Sequence, residues 1–176
     1  ETYTKGIETL DKRLKTFVKN GAKFTKWRAV INIGENIPSN QCINKNSSLL
    51  AEYALISQNN KLVPIVEPEV IMDGEHNIDK CYEVTKETLN QVFNSLKEKN
   101  VDLKGMLLKP NMIVPGDKSG EKLNIKEIAE KTLACLTKTV PEEVPGIVFL
   151  SGGLSSINAT MILNEINKLN SASWNL

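Results

Sequence analysis

Lys109 stands where a lysine does not rest cheaply. It follows Val101 to Leu108, which reads as a buried strand, and it precedes a proline-marked turn in Met106-Leu107-Leu108-Lys109-Pro110-Asn111. An ammonium in a low-dielectric pocket loses solvation, so its pKa falls and its amine becomes a nucleophile. Attack on a ketone to form a Schiff base is the reaction such an amine performs. Three further strand-like runs end in polar or charged groups: Lys26-Trp27-Arg28, Glu67-Pro68-Glu69 and Ser151-Gly152-Gly153. Strand ends carrying such residues point to one shared face.

Alternation along a strand puts Lys26 and Arg28 on one side and Trp27 on the other. Two cations there suit a phosphate, and a second ammonium near Lys109 would depress its pKa further. An exposed edge strand with snorkelling cations accounts for the same residues. Glu67 and Glu69 also share a face, and paired carboxylates raise one another's pKa into the range of general acid–base work. Solvated residues at a strand end are the alternative, although Val63 to Val66 before them is wholly apolar. Ser151-Gly152-Gly153 lies between an apolar strand and a helix start, where backbone amides favour an anion. Glycines at such a turn also serve packing alone. Together the motifs suit a phosphorylated carbonyl compound.

Positioning these groups falls to a regular alternation of elements. The apolar positions Ile7, Leu10, Leu14, Phe17 and Val18 predict an amphipathic helix within residues 1–20, and Phe24 to Ile33 a strand. Ser39 is a helix N-cap, with the helix reaching about Asn60. Leu62 to Val66 reads as a short strand whose Pro64 disfavours a central ladder unless that amide faces away from a donor role. Helices follow over about Ile78–Lys99, Ile125–Lys138 and Ser155–Leu169, with strands at Val101–Leu108 and Gly146–Leu150. This order predicts an α/β fold of about four consecutive βα units with a parallel sheet, part of a (β/α)8 TIM barrel. An open doubly wound sheet would place the strand ends with the same polarity. With no linker in view, residues 1–176 read as a single domain segment.

Composition narrows the function classes. The formal net charge is +1 and 24% of residues are charged, so nothing implies nucleic acid as a partner. No apolar run approaches the ~20 residues of a membrane span, and no membrane insertion is expected. Cys42, Cys81 and Cys135 are odd in number and lack CxxC spacing, which fits reduced thiols in a cytoplasmic protein. The single histidine, His76, excludes His-rich zinc sites and makes a Ser-His-Asp triad an unsuitable reading; its Asp73-Gly74-Glu75-His76 context reads as a solvated turn. No metal and no cofactor are called for. The chain begins at Glu1 and stops at Trp174-Asn175-Leu176 without a closing element, as a piece of something longer would.

At four stretches the chain resembles class I fructose-bisphosphate aldolase, the metal-independent Schiff-base type: Ala22-Lys23-Phe24-Thr25-Lys26-Trp27-Arg28, Val63-Pro64-Ile65-Val66-Glu67-Pro68-Glu69, Leu107-Leu108-Lys109-Pro110-Asn111-Met112 and Phe149-Leu150-Ser151-Gly152-Gly153. The resemblance runs nearly end to end but covers only the central segment of that enzyme. It implies a TIM barrel, usually a cytoplasmic homotetramer, that cleaves fructose 1,6-bisphosphate in glycolysis. By the same resemblance Lys109 forms the imine, Glu67 shuttles protons with Glu69 assisting, and Lys26 supports the charge balance. Arg28 holds one phosphate, and Ser151, Gly152 and Gly153 the other. Leu154 departs from the polar residue usual after Ser-Gly-Gly.

Other lysine-imine enzymes, a transaldolase or deoxyribose-phosphate aldolase, account for Lys109 but not for the whole set of motifs. A non-catalytic scaffold role is the reading from a different class, since the family also binds cytoskeletal and adhesin-tail partners. About four βα units leave two unpaired sheet edges, so this segment alone is expected to aggregate or self-pair and not to turn over substrate.

Overall fold

The computed structural model describes residues 1–172 and 174–176. Its elements run α1 (Leu10–Lys19), β1 (Phe24–Ile31), α2 (Asn40–Asn59), β2 (Val63–Val70), α3 (Ile78–Glu98), a 3-10 turn at Leu103–Gly105, β3 (Leu107–Leu108), α4 (Ile125–Thr139) and α5 (Ser156–Leu169). The strands form a parallel sheet in the order β1-β2-β3. Beyond β3 the sheet continues as isolated parallel bridges, Leu108 with Ile147 and Gly146 with Asn175. Chain order equals strand order, and successive helices pack on one another from α1 to α5. A doubly wound sheet would reverse its order and carry helices on both faces; this is the singly wound pattern of a barrel.

Each long helix begins at a short polar cap. Ser39 Oγ accepts from Cys42 N, Asn77 Oδ1 from Lys80 N, Asn124 Oδ1 from Glu127 N and Ser155 Oγ from Asn158 N. These bonds satisfy amides that the first turn leaves without a partner. Leu50, Tyr53, Leu89, Leu96, Met106, Leu108, Ile128, Ile147 and Ile162 are fully buried, mostly between the helices and one face of the sheet. In α1 only Leu10 and Leu14 are buried; Phe17 and Val18 remain exposed, against the expectation from their spacing.

Three expectations about strands change. The second strand runs on through Pro64 and Pro68 to Val70 and is central, not an edge. It tolerates prolines because its amides alternate in direction. Val63 N donates to Lys23 O and Ile71 N to Ile31 O, so odd residues face β1, while Pro64 and Pro68 fall on the β3 side. Their missing donors shorten β3 to Leu107–Leu108, not the predicted Val101–Leu108. Upstream, Gln58 removes Asp102 and Gly105 from any ladder: its Nε2 donates to Asp102 O (2.8 Å) and Gly105 O (3.3 Å), and its Oε1 accepts from Asp102 N (3.0 Å). The predicted strand Gly146–Leu150 is reduced to the bridges at Gly146 and Ile147. Asn175, read as lying past the last element, bridges to Gly146.

His76 is buried, at 9% exposure, not a solvated turn residue. The loop after β2 is zipped to the loop after β3: Gly116 N donates to His76 O (2.7 Å), Asp117 N to Met72 O (2.9 Å), Lys118 N to Gly74 O (2.9 Å) and Gly74 N to Asp117 Oδ1 (2.8 Å). Closure requires Gly116, because a Cβ there would lie 2.2 Å from Gly74 O and 2.7 Å from Gly74 C. Gly116→Ala is therefore expected to destabilise the fold by about 1–3 kcal/mol, read as a lower urea midpoint at unchanged slope. Gly120→Ala, with φ +76° but open space around it, should cost about 1 kcal/mol through backbone strain alone. Equal midpoints for the two variants would contradict the clash.

Burial lowers the His76 pKa, opposed by the nearby charges of Asp117 and Glu121. The unfolded chain then binds the proton first, so stability falls as pH drops through the usual 6.5 toward the lowered folded value. His76→Gln should flatten the slope of melting temperature against pH between about pH 7 and 5.5; an unchanged slope would assign that acid sensitivity elsewhere.

Candidate active site

The sheet face turned away from the helices carries the charged residues. In the parallel register Arg28 pairs with Glu67, Val30 with Glu69 and Lys26 with Ile65, so these side chains point the same way, while Trp27 and Val66 face the helices and are buried. Trp27 stacks on Tyr53 of α2, with ring centroids 5.5 Å apart. The Tyr53 hydroxyl meets Thr25 Oγ1 at 2.8 Å and donates to Ile65 O at 3.2 Å. This anchors β1 against β2 directly beside Lys26.

Lys109 follows the last ladder residue of β3, and its amide donates to Val66 O at 2.8 Å. Extending the pairing of Leu108 with Val66 sets Lys109 opposite Glu67. Lys109 Nζ lies 2.8 Å from Glu67 Oε1 and Lys26 Nζ 2.9 Å from Glu67 Oε2. The first contact is an aligned hydrogen bond; the second is an ion pair off the hydrogen-bond direction, which leaves Oε2 without a hydrogen-bonded donor. Glu67 is thus a buried carboxylate, 3% exposed, bridging two ammonium groups that are 26% (Lys109) and 45% (Lys26) exposed. One step along, the Arg28 guanidinium binds the buried Glu69 carboxylate, which raises the Arg28 pKa further. Each cation of β1 reaches the carboxylate two residues beyond its own partner in register.

Two expectations about charge are corrected here. The two carboxylates are not partners of one another, because each has its own cation. For Glu67, burial pushes the pKa up, but the Lys109 hydrogen bond and the positive charges of Lys109 and Lys26 outweigh it and hold the carboxyl below its usual 4.5. Lys109 does not sit in an apolar pocket either: a carboxylate, itself shared with Lys26, is its nearest partner.

Ser151, Gly152 and Gly153 lie on the same end of the sheet, since Leu150 N donates to Pro110 O at 3.4 Å. Gly152 and Gly153 have φ of +59° and +97°, a region glycine enters at no steric cost. A Cβ on Gly153 would also lie 3.0 Å from Met72 Cε, so this turn packs on the loop that follows the carboxylates. Among the described residues no hydrogen bond joins Ser151–Gly153 to the Lys109 cluster; the turn stands apart, with its amides before the N-terminus of α5.

Asn111, which the sequence offers only as part of the Leu107–Met112 motif, is 4% exposed and fully hydrogen-bonded. Its one advance signal was position, two residues past the lysine at a strand exit. Among the described residues no cluster of His, Cys, Asp or Glu has metal-holding geometry, and no helix is long and apolar enough to cross a membrane. Cys42, Cys81 and Cys135 are free thiols.

The family model of class-I fructose-bisphosphate aldolase, a glycolytic family, matches residues 1–176. A probable class 1 fructose-bisphosphate aldolase of Xanthomonas axonopodis pv. citri is 51% identical over 176 residues, all of this chain and 53% of that protein. The cytosolic fructose-bisphosphate aldolase 4 of Arabidopsis thaliana is 50% identical over 169 residues, 96% of this chain and 43% of its own length. Among solved structures, fructose-bisphosphate aldolase of Plasmodium falciparum, in complex with TRAP and a small-molecule inhibitor, superposes with a TM-score of 0.95 at 43% identity, covering 98% of this chain and 50% of that one. The chain spans about half the length of the curated relatives it matches. Motifs, fold and full-length match agree: the chain belongs to the class-I fructose-bisphosphate aldolase family.

Proposed function

We propose that the whole protein cleaves fructose 1,6-bisphosphate to dihydroxyacetone phosphate and glyceraldehyde 3-phosphate through an imine on Lys109. The observation that carries this reading is the Glu67 carboxylate held 2.8 Å from Lys109 Nζ, with Lys26 on its other oxygen. A carboxylate at that distance takes the ammonium proton directly and frees the amine. The amine adds to the ketone carbon to give a carbinolamine. Glu67 then returns a proton to the departing hydroxyl, water leaves, and the iminium forms. Glu67, a carboxylate again, takes the C4 hydroxyl proton as the C3–C4 bond breaks; glyceraldehyde 3-phosphate leaves as the aldehyde, and the bond's electron pair enters the iminium as an enamine. A proton to C3 and hydrolysis release the second product and regenerate the lysine.

Arg28 and Lys26 are half-exposed cations on the open face, suited to one phosphate. The amides of Ser151–Gly153 suit the other. Glu69, neutralised by Arg28, assists proton transfer. Membership in a family with cytosolic relatives supports a cytoplasmic protein, and assembly as a homotetramer rests on the family resemblance alone.

Borohydride trapping with dihydroxyacetone phosphate, followed by peptide mapping of the whole protein, tests the reading. A stable adduct on Lys109, with bisphosphate cleaved far faster than monophosphate sugars, is the expected result. A folded protein with no adduct overturns it, and an adduct with preference for monophosphates would move the protein to another lysine-imine reaction.

A further inference from the structure

We propose that Asn111 is a positioning residue for this chemistry: its side chain replaces a missing rung of the sheet and so holds the Glu67–Glu69 stretch of β2 at the height of Lys109. The inference rests on the function proposed above.

The missing rung follows from hydrogen-bond parity. In a parallel pair, a residue's amide bonds the carbonyl of one residue across the gap, and its own carbonyl receives the amide two residues further on. Lys109 N donates to Val66 O, so the carbonyl of Lys109 would take its donor from residue 68. Residue 68 is proline and has no N–H. The next amide of β2 facing that side belongs to Val70, whose regular acceptor would be the backbone carbonyl of residue 111. Instead Val70 N donates to the side-chain Oδ1 of Asn111, at 3.0 Å. The two carboxylate-bearing residues are therefore tied to the lysine segment at both ends, through Val66 and through Val70, with a proline gap between.

Asn111 is itself held on both sides. Its Nδ2 donates to Thr85 Oγ1 of α3 at 3.1 Å and to Met112 O at 3.2 Å. Asn111 and Thr85 are buried, at 4% and 2% exposure, so water does not replace these partners readily. An amide side chain is required: it must accept from β2 and donate to α3 at once. Without it, the end of β2 beyond Pro68 keeps its bonds to β1 but none to the Lys109 side. Glu67 then loses one of the two ties that fix its distance to Nζ.

The test compares wild type, Asn111→Ala and Thr85→Val in the whole protein. Misplacement by about 1 Å costs on the order of 100-fold in rate. Asn111→Ala should lower kcat about 10- to 100-fold, with KM within about threefold, and slow borohydride trapping at Lys109 in parallel. The acid limb of its pH–rate profile should move to higher pH, because Glu67 is less closely held by the ammonium. Thr85→Val, which keeps Oδ1 on Val70 and Nδ2 on Met112 O but removes the α3 acceptor, should show the same shift at smaller amplitude. Wild-type kcat and pH profile in folded Asn111→Ala, even with a lowered melting temperature, would overturn the inference. If Asn111→Ala does not fold, wild-type kcat and acid limb in Thr85→Val would overturn it. A wild-type protein that gives no Lys109 adduct overturns the proposed function instead, so the two failures are distinct.

Discussion

Lys109→Ala will abolish borohydride trapping and lower turnover of fructose 1,6-bisphosphate by about 10⁵-fold or more, since removal of a covalent nucleophile typically costs on the order of 10⁶ in kcat. Other lysines do not substitute. Lys26 Nζ is on the far oxygen of Glu67, which separates it from the place where the Lys109 amine attacks. Lys109→Arg is the sharper variant, because a guanidinium keeps the positive charge beside Glu67 but has no amine to form an imine. Both variants should be inactive, while only Lys109→Ala disturbs the charge balance. Glu67 would then keep Lys26 alone, its carboxyl would rise from its lowered position, and less stability would be lost on acidification below about pH 4.5. Retention of more than about 1% activity in Lys109→Arg would mean that the reaction does not run through this imine.

Glu67→Gln is expected to reduce kcat by about 10²–10⁴-fold, the usual worth of a positioned acid–base group. The amide keeps the shape and an acceptor for Lys109 but can neither take nor return a proton. Glu67→Ala should lose as much activity and also about 1–2 kcal/mol of stability, because two ammonium groups then face each other without a carboxylate. Lys26 is nearly half exposed, so solvent offsets part of that cost. The acid response gives a second reading. Glu67 has a lowered folded pKa, so its stabilisation is complete above the usual 4.5 and is lost as pH falls through the lowered value. Both variants should lose that limb of the stability profile. Wild-type kcat in Glu67→Gln would assign the proton transfers to Glu69 or water.

Much of this site was legible in the order of residue types. Lys26, Arg28, Glu67 and Glu69 fall within β1 and β2, on one face of the sheet and not at the strand ends, and the alternation in Lys26-Trp27-Arg28 correctly divides the cations from the buried tryptophan. The cap at Ser39 was legible because an N-cap is a local event, settled by a side chain and an amide three residues on. Errors gathered where two distant segments meet. The carboxylates of Glu67 and Glu69 looked coupled to each other, since only their sequence neighbours were visible; their real partners come from 41 or 42 residues away. His76 looked solvated because Asp73-Gly74-Glu75 reads as a turn, and the loop that covers it begins about Gly116.

The sequence by itself determined the βα alternation, the family and which residues could share a catalytic face, because helix and strand periodicity and short motifs are properties of neighbours along the chain. Only the tertiary structure decided how long β3 is, which carboxylate each cation holds, and that a side-chain amide stands in for a sheet rung. Those depend on the direction in which each amide of β2 points and on what lies across from it. Pro64 and Pro68 withhold donors from β3, and Asn111 is placed where Val70 still has one to give.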